Sequence, residues 1–532
     1  MASNYDLILI SQSNIVDYEG YGDLPLDRLD IYASLVYPRM VHYKGRFRSH
    51  LDYLNLNKFG ATYKESSYDK RRNMYNIWNL PAMGGIHIAN YLSQFGINVR
   101  IINNLDSEWD WFEEAYRSCS VPPLVGISST FNLSWKEIGN MSKKLRSVDP
   151  DMALVLGGAF VNAETIHGTP LNFEEKMRKH CIRYVLHAFN SERDLRDLIN
   201  ALKNNTDVGD VPNCCAIDGS FKTGTFKASA KAWHSPLLSL SDVPATWDRL
   251  ELPFLNRTIQ IRTASGCPFD CSFCSYPSTA GGWETVNIET VRAHLDSIMR
   301  IKGVDRIIFI DDTFNVPVRR FNELLKLFAE YQFEWFSFLR VQYVTDDVVK
   351  MMKDSGCKGV YLGIESANDQ ILRNMNKKVT ASQFANGVSL LNKYDINYIA
   401  AFVLGFPGEN SQSIQDNVDF IRNNGVRFYS LKEFYYMEHT SIHSQREKYG
   451  LSGIGNKWSH STMDSDQATN IKIDIFKSIK ESTHIDADTS LWYLAYLYDQ
   501  GYNFGQIKSI QEEINDLMKY QLRSIGDNTT WQ

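Results

Sequence analysis

Cys267-Pro-Phe-Asp-Cys271-Ser-Phe-Cys274 is a C-x3-C-x2-C run placed just after the apolar stretch Thr258–Arg262. Three thiolates this close on one loop can hold three irons of a cubane cluster. Most such clusters take four cysteines, so one iron would lack a protein ligand, and that open position is what a cluster needs to bind a small molecule directly. Zinc is the other metal compatible with thiolates. Structural zinc sites want four ligands, commonly from two C-x2-C pairs, and no second pair follows here. Three buried thiols without a metal are the remaining reading, but packing gives no reason for this spacing after a strand.

Working downstream, apolar runs recur at Arg306–Ile310, Trp335–Leu339, Gly359–Leu362, Tyr398–Leu404 and Phe428–Phe434. Amphipathic segments such as Glu289–Ile301 and Phe321–Tyr331 separate them. With Thr258–Arg262 this makes six βα repeats over 257–437, enough for a barrel or an open partial barrel. In such folds function gathers at the carboxyl ends of the strands. The cysteine loop, Asp311-Asp312, Arg340, Glu365 and Gly405 all fall at such ends. Taken singly, Glu365 could cap a helix, Arg340 could pair with a surface carboxylate, and Gly405-Phe-Pro-Gly408 could be a turn. Residues 438–532 read as helices carrying Trp458, Trp492 and several tyrosines.

Upstream, strand-like runs occur at Asp6–Ile10, Asn98–Ile102, Leu124–Ser128, Ala153–Gly157 and Arg183–Leu186. Ile88, Tyr91, Leu92 and Phe95 recur at i, i+3, i+4 and i+7, the stripe of a helix, and Trp135, Ile138 and Leu145 suggest another. Residues 1–205 therefore read as a parallel α/β sheet with helices on both faces. Ile15–Arg72 breaks the rhythm; it is Tyr-rich and polar, and is expected to wrap the sheet or cover a site. Residues 206–256 read as a connector, with turn formers at Asp218-Gly219 and Thr223-Gly224 and with Pro212, Pro236, Pro244 and Pro253.

The 532 residues suffice for two or three domains. Hydrophobic residues at 43% and charged residues at 22% exclude a disordered or fibrous chain. A net charge of −6 gives no basic excess for nucleic acid. No apolar run approaches the roughly 20 residues of a membrane helix, and the N-terminus lacks the basic region of a secretory signal. Eight cysteines in a chain this long do not make a disulfide scaffold, so a reducing, cytoplasmic setting is expected.

The cysteine triplet and the motifs in register with it resemble the radical S-adenosylmethionine (SAM) superfamily over about residues 257–435. The matching residues are Phe273 before the third cysteine, Phe309-Ile-Asp-Asp-Thr-Phe314, Arg340, Gly363-Ile-Glu-Ser366 leading into Asp369–Lys377, and Gly405-Phe-Pro-Gly-Glu409. The resemblance implies a partial (β/α)6 TIM barrel and a 4Fe–4S cluster on Cys267, Cys271 and Cys274. It also implies SAM contacts from Phe273, Arg340, Glu365, Ser366 and Gly405. Glu365 would take the ribose or amino group and Arg340 the carboxylate, or the two roles are exchanged. The chemistry implied is reductive cleavage of SAM to a 5′-deoxyadenosyl radical that abstracts hydrogen from a substrate.

The upstream sheet resembles the Rossmann-like cobalamin-binding domain of the B12-dependent class of that superfamily. The carrying stretches are Leu80-Pro-Ala-Met-Gly-Gly-Ile-His-Ile-Ala-Asn-Tyr-Leu92, Val125-Gly-Ile-Ser-Ser-Thr130 and Leu154-Val-Leu-Gly-Gly-Ala-Phe160. Ser128, Ser129, Thr130, Gly157 and Gly158 would then face the cobalamin tail, since open α/β sheets bind ligands beyond the carboxyl ends of their strands. The Asp-x-His-x-x-Gly motif that supplies a cobalt ligand elsewhere is absent. His87, His167 and His187 read as ordinary polar or core histidines, and many members of the class bind cobalamin without a histidine below the cobalt. Leu186-His-Ala-Phe-Asn-Ser-Glu192 diverges from the Gly-Glu pattern usual there. Tyr43-Lys-Gly-Arg-Phe-Arg-Ser-His-Leu-Asp-Tyr-Leu-Asn55 resembles, more weakly, the phosphinate P-methyltransferase branch.

Together these resemblances imply a cobalamin-dependent radical SAM methyltransferase. It would act on an unactivated carbon or phosphorus centre of a small-molecule or peptide substrate in natural-product biosynthesis, with flavodoxin or ferredoxin as electron donor. The alternative is a radical SAM epimerase, cyclase or rearrangement enzyme that uses the upstream sheet for docking or packing. A non-catalytic metal- or nucleotide-binding regulator is the third possibility; it has no need for an unliganded iron.

Overall fold

The computed structural model describes residues 4–12, 39–71, 73–130, 134–167, 171–188, 191–229, 238–243, 246–247, 257–279, 282–486 and 490–526. Most of the Tyr-rich stretch before residue 39, together with Arg72, Pro236, Pro244 and Pro253, lies outside the described residues. Contacts divide the chain into two units.

The first unit holds a seven-stranded sheet in the order β2-β1-β3-β4-β5-β6-β7. The strands are β1 Leu7–Gln12, β2 Val99–Asn104, β3 Leu124–Ser128, β4 Leu154–Gly157, β5 Tyr184–Leu186, β6 Cys214–Asp218 and β7 Thr225–Ala228. β1 to β5 pair in parallel; β6 and β7 add in antiparallel fashion at the edge. Successive residues of a strand point to opposite faces, so Ile8 and Ile10 join one core cluster and Leu7 and Leu9 the other. Both faces are covered, which explains why β1 reads as an unbroken apolar run. The expected helices are present at Met83–Ser93 and Trp135–Leu145, the latter capped by Ser134 through the Glu137 amide.

The stretch 206–256, expected as a connector, carries β6 and β7. Its turn formers belong to a tight hairpin. Asp218 pairs with Thr225, Gly219 sits at φ +84°, and a Cβ on Gly224 would lie 2.1 Å from the Asp218 carbonyl oxygen. Short strands around a glycine turn look like linker when their partner is out of sight.

The second unit holds a parallel sheet in simple sequence order: β8 Thr258–Ile261, β9 Arg306–Phe309, β10 Glu334–Leu339, β11 Cys357–Glu365, β12 Asn397–Leu404, β13 Phe428–Glu433 and β14 Thr483–His484. The first six are those expected from sequence. β14 was not expected, because two residues are too few to display periodicity. Among the described residues β8 and β14 do not pair with each other, so the sheet is open.

The described residues 39–77 also group with this second unit. They form the hairpin Met40–Tyr43/Arg46–Ser49 and the helix His50–Phe59. The His42 amide bonds the Gln521 side chain at 3.1 Å, and the Asn76 amide bonds the Tyr496 hydroxyl at 2.8 Å. This segment, expected to wrap the first sheet or cover a site, packs on the C-terminal helices of its own unit. The C-terminal region is not purely helical. An antiparallel ribbon, Ser452–Ile454, Lys457–His460 and Met463–Asp464, precedes the helices Ser465–Ser478, Ser490–Asp499 and Phe504–Gly526. Trp458 lies in this ribbon. Trp492 donates to Gln260 at 2.6 Å and Asp499 accepts from Thr258 at 2.7 Å, which seats the helix Ser490–Asp499 against the sheet.

Buried ionisable groups make stability depend on pH in opposite senses. Burial lowers the His50 pKa to about 4, an effect only partly offset by the neighbouring Gln511. The unfolded chain therefore binds more protons between pH 6.5 and 4, and stability falls as pH drops through that window. Burial raises Glu409 to about 7, so it acts the other way. A paired comparison isolates the histidine: His50→Gln is expected to lose less stability than the parent between pH 7.5 and 5, by about 2 kcal/mol. Parallel denaturant titrations of the two proteins would contradict this.

Candidate functional site

The cysteine loop leaves the carboxyl end of β8 and is fastened on several sides. Asp311, fully buried just after β9, accepts from the Thr263 amide at 2.6 Å and the Ala264 amide at 3.0 Å, and so holds the chain leading into the loop. Burial pushes its pKa upward. Asp312 lies beside Tyr276 and Arg262. These two carboxylates are occupied with the loop's frame.

Further along, the Ser272 amide bonds the Met375 carbonyl at 2.9 Å and its hydroxyl bonds the Asn374 carbonyl at 2.9 Å. The Ile442 amide bonds the Ser272 carbonyl at 2.8 Å. Asn376 donates to the Asp270 carbonyl at 3.1 Å, and Lys378 pairs with the Asp270 carboxylate at 2.9 Å. The loop is thus held from the turn after the helix Asp369–Asn374 and from the chain beyond β13. Backbone amides fastened this way fix where the thiols stand without involving the thiols themselves.

Cys271 is buried; Cys267 and Cys274 are half-buried. The Cys274 thiol is pushed upward, first by burial and also by the neighbouring Cys271 and Cys267. Among the described residues no three His, Cys, Asp or Glu side chains converge on the space of one metal ion. A single zinc would need such convergence. A cubane does not, because each thiolate takes a different iron. The donor set of three neighbouring thiols on a fastened loop fits a cluster.

Arg340 follows β10. Its Nη2 lies 3.3 Å from the Cys271 sulfur, its guanidinium carbon lies 3.5 Å from the centroid of the Phe269 ring, and Nη1 is buried without a hydrogen-bond partner. Thr313 places its hydroxyl 3.3 Å from the Cys267 sulfur. Glu365 closes β11 at a register shift and adopts φ +64°, rare for a residue with a side chain. Its carboxylate meets the buried Lys377 ammonium at 2.9 Å. Gly363 makes room for this pair, since a Cβ there would lie 2.6 Å from Glu365 Oε1 and 3.2 Å from Lys377 Nζ. The same ammonium lies 6.0 Å from the Phe273 ring centroid, and Phe273 packs edge-on against Phe406.

Ser366 and Gly405 turn inward. Ser366 is fully buried, with its hydroxyl accepting from the Asn368 amide at 3.2 Å. Gly405, at φ +83°, donates to Glu409 at 2.6 Å, and a Cβ there would lie 2.3 Å from the Trp458 ring. The His460 ring meets the Gly405 carbonyl oxygen at 3.0 Å. The ribbon thus braces the end of β12, and the glycine is required by Trp458. At the end of β13, buried Lys472 pairs with Glu433 at 3.0 Å and with Asp486 at 3.3 Å, and Lys432 also contacts Asp486. Sequence reasoning did not single out this network, and it quoted Thr313 and Lys377 only inside longer matching runs, with no role given to either. Lone polar residues outside a motif carry no spacing signal.

In the first unit, the order 2-1-3-4-5 of β1 to β5 reverses direction between β1 and β3, the place where doubly wound sheets present a ligand crevice. Ser128, Ser129 and Thr130 leave β3 there. Ser129 is fully buried. Its amide bonds the Gly157 carbonyl at 2.7 Å, and its hydroxyl accepts from the Val161 amide at 3.3 Å, near the start of the helix Ala159–His167. Gly158 adopts φ +112°, which side chains rarely take, and a Cβ there would press on the Ser129 amide nitrogen at 3.0 Å. Thr130 is exposed, and Ser128 and Gly157 keep part of their surface. His87 lies 3.9 Å from Glu192, and His187 stacks on Phe173. The His167 side chain lies outside the described residues.

The Radical SAM superfamily model matches residues 261–421. An uncharacterized methyltransferase, PH0819, of Pyrococcus horikoshii is 26% identical over 318 residues, 57% of this chain and 64% of that protein. The bacteriochlorophyllide d C-12(1)-methyltransferase of Chlorobaculum tepidum is 30% identical over 180 residues, 32% of this chain and 39% of that protein. In both cases the match spans less than two thirds of the relative's own length. Among solved structures, the radical SAM methyltransferase TsrM from Kitasatospora setae, with tryptophan and a SAM analogue bound, aligns at a TM-score of 0.54 and 16% identity, covering 86% of this chain and 79% of that one. The cobalamin-dependent SAM radical enzyme OxsB, with aqua-cobalamin bound, aligns at 0.56 and 14% identity, covering 98% and 76%. At these identities the likeness is one of fold. No helix among the described residues is long and apolar enough to cross a membrane.

Proposed function

The chain belongs to the radical SAM superfamily and is a radical SAM enzyme, and from that premise we propose that it is a cobalamin-dependent methyltransferase acting on an unactivated carbon or phosphorus centre. The observation that carries the reading is the fastened loop Cys267–Cys274 at the carboxyl end of a parallel sheet, with Arg340, Lys377 and Glu365 gathered beside it. The open seven-stranded sheet is read as the partial barrel of the superfamily, and the first sheet as its Rossmann-like cobalamin-binding domain.

Cys267, Cys271 and Cys274 would hold a 4Fe–4S cluster, which when bound supplies the electron for reductive cleavage of SAM. Phe273, Ser366 and Gly405 shape the surrounding wall through their packing, while Glu365 and Arg340 present charge to it. Arg340 has one buried N–H group left for an anion such as the SAM carboxylate. Glu365, held by Lys377, is placed to accept from hydroxyl or amino groups. On the first sheet, Ser128, Thr130, Gly157 and Gly158 keep surface for the cobalamin tail. Ser129 shapes the loop from within.

Methyl transfer is favoured by the names of the two curated relatives, both methyltransferases. Substrate and electron donor remain those expected from sequence: a small molecule or peptide, and flavodoxin or ferredoxin. Anaerobic, reduced protein with SAM is expected to form 5′-deoxyadenosine, together with S-adenosylhomocysteine and a methylated product in step. Deoxyadenosine without S-adenosylhomocysteine would point instead to an epimerase, cyclase or rearrangement enzyme. Failure to form deoxyadenosine with a fully loaded cluster would remove both readings.

A further inference from the structure

We infer that Thr313 and Arg340 are positioning residues that set the reduction potential of the cluster, by hydrogen-bonding the sulfurs of Cys267 and Cys271. The inference rests on the cluster reading above and goes beyond ligation and SAM binding. Two of the three thiols have a donor side chain at 3.3 Å: the Thr313 hydroxyl on Cys267 and Arg340 Nη2 on Cys271.

Both donors are built in rather than draped. Thr313 is 2% exposed. Arg340 is held at its backbone by the buried side chain of Asn315, which accepts from the Arg340 amide at 2.9 Å and donates to its carbonyl at 2.9 Å. Its guanidinium is seated on Phe269, a residue of the cysteine loop itself. The turn after Arg340 is in turn pressed by the helix Ala381–Lys393, where Gly387 leaves no room for a Cβ, which would lie 2.6 Å from the Val341 carbonyl oxygen. The donor therefore reaches the sulfur through a rigid chain of contacts, and a rigid donor holds its bond in both oxidation states.

The physical consequence has a definite sign. Adding one electron from the external reductant raises the negative charge on the cluster and its sulfurs. A hydrogen bond to sulfur stabilises the more negative state, and a cation beside it does so more strongly. Removing either donor makes the cluster harder to reduce. Arg340 supplies both a charge and a bond, so its removal has the larger effect.

The test uses the full chain, reconstituted anaerobically with iron and sulfide and titrated with dithionite and mediators under EPR detection. Thr313→Val keeps the shape and deletes the hydroxyl; Arg340→Met keeps the stem and deletes the charge. Both are expected to shift the midpoint potential to more negative values, Arg340→Met further, while Thr313→Ser stays with the parent. A fully loaded Thr313→Val with the parent's potential overturns the inference. So does loss of iron from Thr313→Val but not from Thr313→Ser, because the hydroxyl would then hold the loop instead of the potential. If Arg340→Met cannot retain iron, the Thr313 pair decides. A parent protein that takes up no reducible cluster is a different outcome: it fails the proposed function itself.

Discussion

Cys271→Ala is expected to abolish cluster loading and 5′-deoxyadenosine formation while leaving the fold in place. Cys271 is the middle member of the triplet, 8% exposed, and has a cation at its sulfur. The loop around it is held by the backbone and side chain of Ser272, the backbone of Ile442 and the side chain of Asn376, none of which needs the thiol. The substitution therefore removes a ligand without releasing the loop, and the metal-free variant should stay within roughly 1 kcal/mol of the metal-free parent. Iron analysis and the visible absorption of the reconstituted protein read the first effect; thermal melting without metal reads the second. Cys119→Ser, half-buried in the first unit, serves as the cysteine control and should load like the parent. Normal iron content in Cys271→Ala would refute the ligand assignment.

Lys377→Met should be among the most destabilising substitutions in the second unit. The residue is 5% exposed, and its ammonium sits 2.9 Å from the Glu365 carboxylate, in a space that only glycine at 363 leaves open. Truncating one partner of a buried pair leaves the other charge without compensation, a loss of about 3–5 kcal/mol. The double variant Lys377→Met/Glu365→Gln removes the stranded charge and should recover more than half of that loss. Chemical denaturation of the four proteins of the cycle gives the coupling directly. Additive single effects would show that the pair is not acting as a buried ion pair. Glu365 also stands in the left-handed region at the end of β11, and the lysine holds its carboxylate in one place. Affinity for SAM in Lys377→Met is accordingly expected to fall at least tenfold, an effect equilibrium dialysis would read.

The chain illustrates which features are legible one residue at a time. All six repeats from Thr258 to Phe434 were readable, because each strand is a run of buried apolar residues bounded by turns and each helix shows a stripe. β6 and β7 were not: their glycines, which read as linker, are the turn of an edge hairpin whose partner, β5, lies some thirty residues earlier. β14 was hidden by its length. The stretch 15–72 was recognised as irregular, yet its described part gave no sign of which unit it joins, since His42 meets a glutamine 479 residues away.

At the site the same division holds. The grouping of Cys267, Cys271 and Cys274 was evident because three thiols on one loop are close in sequence, and covalent spacing is a local property. Arg340 and Glu365 were found by their position at strand ends, but their partners were not. Arg340 meets a cysteine 69 residues away, and Glu365 is held by Lys377 across a glycine notch. Ser129, Ser366 and Gly405, expected to face ligands, turn their groups toward a helix start, a turn and Trp458.

The residue order alone thus determined that three thiols share a loop after a strand, and that two α/β segments follow one another, because periodicity and spacing are written along the chain. Only the tertiary structure decided which side chains touch those sulfurs, which glycines are demanded by a neighbour, and which unit receives residues 39–77. Those outcomes depend on contacts closed over tens to hundreds of residues, where the partner's identity is set by packing and no local pattern announces it.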